Sequence, residues 1–217
     1  MTTRDKIMTQ ALDLFSRKGY EPVSVRDIAR AVGIKESSIY NHFQNKRAIF
    51  DSILAEYSNR WDSFFSGMVF AGEDGRFTVD ERARAFYRGM TGEQFASLAL
   101  AVFEQYMTDE VNVKLRRMLT IEQYGSAEVA ALFRKISFED SLDYQAQLFG
   151  ALMEEGLFAQ GDPAMMALAF FSPIFLIFYK YDGNEEGLAK ARELFLMHIK
   201  HFSQTYGTKA PRKGEHA

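Results

Sequence analysis

Between residues 24 and 46 the chain concentrates side chains that can hydrogen-bond to nucleic acid. They carry guanidinium, ammonium, carboxylate, hydroxyl, amide and imidazole groups, and they are Arg26, Lys35, Glu36, Ser37, Ser38, Tyr40, Asn41, His42 and Lys46. Arginine, asparagine and glutamate can reach base edges, whereas lysine and hydroxyl side chains commonly bind phosphate oxygens. The chemistry indicated is DNA contact, and it requires elements that present all these groups on one surface.

Two short helices joined by a glycine turn are predicted to carry these groups. Ser24 can cap the first helix, with Asp27 three residues later as in a capping box, and Gly33 suits the left-handed position that ends it. A second helix is predicted over about 35–41, and a third starts at Asn45. This order is a helix-turn-helix, whose second helix enters the DNA major groove. From spacing alone, a helical hairpin without a DNA function fits about as well.

The segment from Ile7 to about Leu54 resembles the N-terminal domain of the tetracycline-repressor (TetR) family. The matching positions are Ala11, Leu14–Phe15, Gly19–Tyr20, Ser24-x-Arg26-x-Ile28–Ala29, Val32–Gly33–Ile34 and Ile39–Tyr40-x-His42–Phe43-x-x-Lys46. The resemblance implies a homodimer that binds a double-stranded DNA operator. Lys35 departs from the pattern, because the family commonly has a small hydroxyl residue there that caps the recognition helix.

The resemblance also implies individual roles for the side chains of this segment. Base contacts are expected from Arg26, Glu36 and Ser37, with Lys35 and Asn41 as additional contacts. Phosphate contacts are expected from Ser24, Ser38, Tyr40, His42 and Lys46, and the last of these is assisted by the N-terminus of the following helix.

Composition favours a soluble, cytoplasmic protein. The 217 residues include no cysteine, so disulfides and thiolate sites are excluded, and the N-terminus lacks the apolar run of a signal peptide. Residues 165–179 are apolar but too short for a spanning helix, which needs about 20 residues. The net charge is −3, yet residues 1–50 carry a net +4. This asymmetry indicates a basic DNA-facing end on an acidic body.

Apolar periodicity and caps predict an all-α chain of nine to ten helices, with a three-helix DNA-binding bundle followed by a helical ligand-binding and dimerisation domain. The predicted helices cover about 3–18, 24–33, 35–41, 45–66, 79–90, 92–107, 109–124, 126–155, 163–182 and 184–206. A capping box at Ser137 and Asp140 could break the one over 126–155. The predicted domains are 1–48 and 49–207, with 67–77 as a linker and 208–217 as a flexible tail.

The second domain is rich in aromatic residues, which suits an adaptable apolar pocket for a small effector. The candidate lining residues are Trp61, Phe65, Phe103, Tyr106, Met107, Tyr124, Tyr144, Phe149 and Phe171. For each residue taken alone, ordinary core packing is the commoner role. The pocket is therefore predicted as a set, without assigning any single contact.

The predicted helix over 163–182 is apolar on nearly every side and must be covered by more than one partner. A second copy of the chain is the expected cover, and the resemblance implies that the last two helices pair across a two-fold axis. The predicted interface residues are Phe170, Ile174, Phe175, Phe178, Phe195, Ile199 and Phe202.

Motifs for enzymatic chemistry do not occur in the sequence. It has no Walker loop, GxGxxG, nucleophile elbow or HExxH. His198 and His201 could share a helix face, but two imidazoles make a weak metal site. No catalytic residue, metal or cofactor is therefore predicted, and the leading hypothesis is a repressor released from its operator by a small, largely apolar effector. The alternatives are a helical ligand-binding protein or enzyme with an incidental helix-turn-helix, and a regulator controlled by a protein partner.

Overall fold

The computed structural model describes residues 1–66, 79–182 and 185–208, without the side chains of 57–66 and 185. Within these residues the chain is helical, which confirms the predicted all-α class. The helices are α1 (Thr3–Lys18), α2 (Val25–Val32), α3 (Glu36–Ile39), α4 (Lys46–Ser66), α5 (Glu81–Arg88), α6 (Gly92–Thr108), α7 (Glu110–Glu122), α8 (Ala127–Arg134), α9 (Asp140–Glu154), α10 (Pro163–Lys180) and α11 (Glu185–Tyr206). A π-helical segment, Lys135–Glu139, joins α8 to α9.

Several predicted boundaries shift in the structure. Helix α3 is a single turn that ends at Ile39 instead of continuing to residue 41. Helix α5 is capped by Asp80, whose side chain accepts a hydrogen bond from the amide of Ala83. The predicted break at Ser137 falls in a π-helical turn, so the helical path continues there, and the N-cap residue of α9 is Glu139. The predicted linker 67–77 lies outside the described residues.

The chain divides into two compact units. Unit 1 comprises residues 1–64 and 109–135, and unit 2 comprises residues 65–108 and 136–217. Unit 1 therefore contains the helix-turn-helix together with α7 and α8, which the sequence analysis assigned to the second domain. The local pattern of α7 does not indicate that it belongs to unit 1, because its partner there is α1, about a hundred residues earlier in the chain.

The core of unit 1 lies beneath the helix-turn-helix. Phe15, Ile28, Ile39 and Ile49 are each fully buried, so α1, α2, α3 and α4 all contribute a side chain to it. The rings of Phe15, Tyr20 and Phe50 meet with centroids 4.9 to 5.8 Å apart. Such aromatic packing stabilises beyond simple area burial, and it fixes the platform from which the polar side chains project.

The core of unit 2 is built largely from aromatic residues. Phe103 stacks on Phe195 with ring centroids 4.3 Å apart, and Phe149 packs against Phe170 and Phe202 at 5.4 and 5.2 Å. Helix α10 packs mainly on α9 and also on α11. By length and mean hydropathy, 1.5 over 18 residues, α10 could cross a membrane. However, its buried side chains belong to the core of unit 2, as expected for the central helix of a globular fold.

Candidate DNA interface

The helix-turn-helix is held by the local signals that the sequence predicts. The Ser24 hydroxyl accepts from the Asp27 amide, and the Asp27 carboxylate accepts from the Ser24 amide, so the predicted capping box is present. Gly33 has φ +79° and ψ +31°, the left-handed conformation expected of a glycine that ends a helix. The amides of Gly33 and Ile34 both donate to the carbonyl of Ala29. The chain therefore turns sharply towards α3.

The side chains predicted to read bases stand at the surface of this turn. Ser37 and Asn41 are exposed, and Glu36 is half-buried at the first position of α3. Lys35 occupies the N-cap position of α3 and makes no side-chain cap. The departure at Lys35 therefore leaves the amides at the start of α3 without a side-chain cap from that residue, and its ammonium lies in the exposed face.

Arg26 and Glu36 form an ion pair that joins α2 to the start of α3. The Arg26 Nε lies 3.3 Å from a carboxylate oxygen of Glu36, and the two side chains are 75% and 41% exposed. An exposed pair of this kind contributes little to stability. Its consequence is geometric, because the carboxylate restrains a guanidinium whose terminal N–H groups suit the O6 and N7 atoms of guanine.

The residues predicted to bind phosphate fall into two groups. Tyr40, 52% exposed, and His42 lie at the surface after α3, with Ser38 half-buried beside them. Lys46 and Ser24 are instead engaged within the protein. The Ser24 hydroxyl donates to the Asp27 carboxylate at 2.6 Å. For all of these residues, phosphate contact stays a prediction.

Lys46 holds the connection between α1 and α2. Its ammonium donates to the carbonyls of Tyr20 and Glu21 at 2.8 and 3.3 Å, and lies 4.0 Å from the centre of the Tyr20 ring. Because an ammonium has three donors, one remains for a phosphate. The structure thus gives Lys46 an internal role that the sequence analysis missed. At the same helix start, the Asn45 side chain accepts from the Ala48 amide at 2.8 Å, which confirms the predicted cap.

Comparison with known proteins supports this interpretation of the N-terminal segment. Residues 7–53 match the family model described as bacterial regulatory proteins, tetR family. The N-terminal domain belongs to the TetR family. Over 77 residues the chain is 32% identical to IcaR, the negative transcriptional regulator of the biofilm operon icaADBC in Staphylococcus epidermidis. That match covers 36% of this chain and 40% of IcaR, so it relates less than half of either protein.

Solved structures extend the likeness to the fold of the remaining chain. A TetR-family regulator from Mesorhizobium loti superposes with a TM-score of 0.64 at 20% identity, covering 95% of this chain and 97% of that one. SmeT, the repressor of the multidrug efflux pump SmeDEF of Stenotrophomonas maltophilia, gives 0.62 at 19% identity, covering 97% and 93%. SmeT has also been solved in complex with triclosan. At these identities the likeness establishes that both units follow the TetR fold.

The structure brings five of the nine predicted effector residues together in or against the core of unit 2. Phe103 and Phe149 are 2% and 1% exposed in the core of unit 2, and Tyr106, Met107 and Tyr144 pack against that core. Phe171 is half-buried beside Phe175. The side chains of Trp61 and Phe65 lie outside the described residues. Tyr124 is a correction: it belongs to unit 1 and is 88% exposed, so it does not line an enclosed pocket. Its position just before Gly125, at the end of α7, explains this.

Unit 2 also buries polar groups whose contacts the sequence analysis did not predict. The hydroxyls of Tyr87 and Tyr144 hydrogen-bond at 2.8 Å. Burial raises the pKa of Tyr87 to about 12 and raises the pKa of Tyr144 as well, so both remain neutral. The side-chain oxygen of Gln145 is buried without a hydrogen-bond partner. An unpaired buried acceptor of this kind costs free energy.

The predicted dimer interface needs correction. Six of its seven residues are 8% exposed or less and already belong to the core of unit 2; they are Phe170, Ile174, Phe178, Phe195, Ile199 and Phe202. Phe175 is half-buried against Phe138. The sequence analysis identified apolar helices correctly but chose the face that packs inward. A helix that is apolar on all sides gives no periodicity from which to tell the two faces apart.

A different set of apolar side chains remains at the surface. On α10 they are Met165, Leu168, Leu176 and Tyr179, and on α11 they are Leu194, Leu196 and Met197, each between 37% and 63% exposed. We call these seven residues the exposed apolar stripe. On α10 their spacing of three, eight and three residues keeps them on one side of the helix.

Proposed function

We propose that this protein is a homodimeric one-component transcriptional repressor that binds a pseudo-palindromic operator and is released by a small, largely apolar effector. The observation that carries the proposal is the geometry of the helix-turn-helix, which exposes polar side chains above a buried apolar core. Ile28 and Ile39 anchor α2 and α3, whereas Ser37 and Asn41 are exposed and can face a major groove. Arg26 is 75% exposed beside them, with its guanidinium held by the Glu36 carboxylate. IcaR and SmeT, which resemble this chain, are described as a negative regulator and a repressor.

A dimer supplies the second recognition helix. In a two-fold arrangement the two copies of α3 would enter major grooves about 34–36 Å apart, or a multiple of that distance. The exposed apolar stripe supports self-association mainly through its four members on α10, which lie on one side of that helix and expose large apolar side chains to water. An interface of this kind is self-complementary, since each copy presents the same residues.

The effector binds in unit 2 in this proposal. The aromatic core around Phe103 and Phe149 suits a ligand with aromatic or aliphatic bulk. The unpartnered oxygen of Gln145 favours a ligand that also carries one hydrogen-bond donor, such as a hydroxyl. Triclosan, which binds SmeT, is named only for that protein. A ligand that binds the DNA-incompetent conformation a few kcal/mol more tightly is sufficient for release.

The net charge distribution fits a cytoplasmic protein that approaches DNA with one end. The first 50 residues carry a net +4 and the remainder a net −7. Positive charge at the helix-turn-helix favours encounter with the phosphate backbone, and the acidic remainder disfavours indiscriminate coating of DNA.

The deciding experiment is fluorescence-anisotropy titration of the purified protein with DNA from upstream of its own gene. A random duplex of the same length serves as the control, and both are measured over a salt series. We expect the operator to bind at least about a thousandfold more tightly than the control, with two subunits per site. Equal, weak binding to both duplexes would place the operator elsewhere and call for selection from a random DNA library. Absence of salt-dependent binding to any duplex, including the library, contradicts the proposal.

A further inference from the structure

The connection between α1 and α2 is tied to two helices that are distant from it in sequence. On one side, the amide of Tyr20 donates to a carboxylate oxygen of Glu122, the last residue of α7, at 2.7 Å. On the other side, the carbonyl of Tyr20 accepts from the Lys46 ammonium, at the first residue of α4, at 2.8 Å. Both backbone groups of one residue are therefore used to join α7 to α4. All three residues belong to unit 1.

The close approach of α7 depends on a glycine. Gly19 has φ +81°, a conformation that side chains other than glycine rarely adopt. A Cβ atom at this position would lie 3.1 Å from the Glu122 carboxylate and 3.3 Å from the Ile121 side chain. The turn is thus shaped to admit the end of α7, and the contact is part of how the unit is built.

A second contact holds α7 along α1. The ammonium of Lys114 lies 2.8 Å from the carboxylate of Asp13, and the two side chains are only 18% and 22% exposed. Together with the Glu122 bond to Tyr20, this holds α7 at two points, one on α1 and one on the turn that follows it. The hydrogen bond from Tyr20 to Glu122 is therefore held in place by the packing of α7 on α1.

Tyr20 transmits this position to the start of α4. Its ring lies 4.9 Å from the ring of Phe50 on α4 and 5.5 Å from that of Phe15 on α1. The Lys46 ammonium bonds to the carbonyls of both Tyr20 and Glu21. A shift of the turn would therefore move Lys46 and the N-terminus of α4, which follows directly after the recognition segment.

We propose that Glu122 is a positioning residue for DNA binding. By accepting the Tyr20 amide, it fixes the turn on which Lys46 docks, and so sets where the start of α4 lies relative to α3. Glu122 does not touch DNA in this proposal. The inference rests on the proposed function, because its effect is measured as operator affinity, but the hydrogen bond itself can be tested without DNA.

The first test compares operator binding by three variants of the full-length protein. Glu122→Ala removes the acceptor, and Glu122→Gln removes the charge but keeps an acceptor oxygen. Glu128→Ala is the matched control, since Glu128 pairs with Arg47 in the same unit but is 70% exposed. We expect Glu122→Ala to weaken operator binding about tenfold with an unchanged salt slope, because a hydrogen bond to a charged group is lost but no phosphate contact. Glu122→Gln and Glu128→Ala should stay within about twofold of wild type.

Random DNA provides the contrast within the same titrations. A misplaced recognition helix lowers specific binding, whereas non-specific binding depends on charge and should remain within about twofold. Equal weakening of operator and random DNA would overturn the positioning role. Full loss in Glu122→Gln would also overturn it, because the effect would then belong to the charge alone.

The second test is hydrogen exchange at the Tyr20 amide, measured without DNA. In Glu122→Ala this amide should exchange at least about tenfold faster than in wild type, whereas in Glu128→Ala it should exchange as in wild type. Unchanged exchange would show that Glu122 does not hold the turn. Faster exchange with wild-type operator affinity would leave the bond merely structural and reject the proposal. If the wild-type protein discriminates no DNA at all, the proposed function fails, and the exchange measurement still decides whether Glu122 holds Tyr20.

Discussion

The exposed faces of α2–α3 and of α10–α11 are opposite in character. The first presents Arg26, Ser37 and Asn41, which hydrogen-bond well to water and to DNA. The second presents Leu176 and Met197, which are 63% and 59% exposed and do neither. Both faces lie above well-packed cores, so burial beneath them does not explain the difference. Under the proposed function the difference matches the two proposed partners, a polar DNA groove for the first face and the apolar surface of a second copy for the other.

The largest expected effect comes from placing a charge in the exposed apolar stripe. Leu176→Asp should convert a dimer into a monomer and weaken operator binding at least about a hundredfold, because burying an unpaired carboxylate in an apolar interface is strongly unfavourable. Light scattering and anisotropy titration measure the two effects. Leu176→Met is the control, and it should remain dimeric because it keeps the apolar surface. A soluble, fully active dimer of Leu176→Asp would remove the stripe from the interface.

A smaller effect is expected from the polar face. Arg26→Ala should relax base preference at one position of each half-site by about 1–3 kcal/mol, the usual value for a lost bidentate arginine contact. Selection from a random DNA library measures this preference. Glu36→Ala is the informative companion, because Glu36 lies 3.3 Å from the Arg26 Nε. If Glu36 acts by orienting Arg26, both variants relax the same position; if it contacts a base itself, they relax different positions.

Two glycines, one in each unit, separate backbone strain from steric contact. Gly33→Ala should lower the free energy of unfolding by about 1 kcal/mol, because Gly33 has φ +79°. No atom lies within 4 Å of a Cβ built at Gly33 or at Gly92, and of these two glycines Gly33 alone has a positive φ. Gly92→Ala, at the start of α6, should therefore be neutral or slightly stabilising. Urea unfolding of both variants checks the difference, and equal destabilisation would contradict the assignment of the cost to backbone conformation.

The smallest effect concerns the contact between α1 and α7. Partial burial raises the pKa of the Asp13 carboxyl, but its hydrogen bond and ion pair with Lys114 outweigh this, so the pKa lies below the ordinary value. A carboxylate with a lowered pKa stabilises the folded state above its unfolded pKa of about 3.9, and this contribution is lost as the pH falls through the folded pKa. Asp13→Asn should therefore cost about 1 kcal/mol near neutral pH.

The same variant has a clear pH signature. The difference in unfolding free energy between wild type and Asp13→Asn should shrink as the pH is lowered from about 5 towards about 3, since wild-type Asp13 becomes protonated there. Asp51→Asn is a suitable control, because Asp51 pairs with Arg47 at an exposed site where both side chains are 49% exposed. A difference that stays constant with pH would show that the Asp13 charge is not what holds α7.

Local signals in the sequence predicted the elements of the DNA-binding surface. The capping box at Ser24 and Asp27 and the left-handed Gly33 depend only on residues within a turn of one another, so they can be deduced before any folding partner is known. The same holds for α10, which begins at residue 163 as predicted, because the Asp162 side chain caps it and Pro163 suits its first position. The paired hydroxyls of Tyr87 and Tyr144 lie 57 residues apart and give no such signal.

The sequence alone determined the helical class of the residues that the structure describes, and the helix-turn-helix of the TetR type with its capping box and its turn glycine. Only the tertiary structure decided which side of α10 faces outward, because a helix that is apolar all round packs according to its neighbours rather than its own pattern. Tertiary structure also placed Glu122 against Tyr20, 102 residues away, and gave Lys46 to the carbonyls of that turn. Such contacts depend on how helices that are distant in sequence pack together, and the spacing of residues within one helix does not predict them.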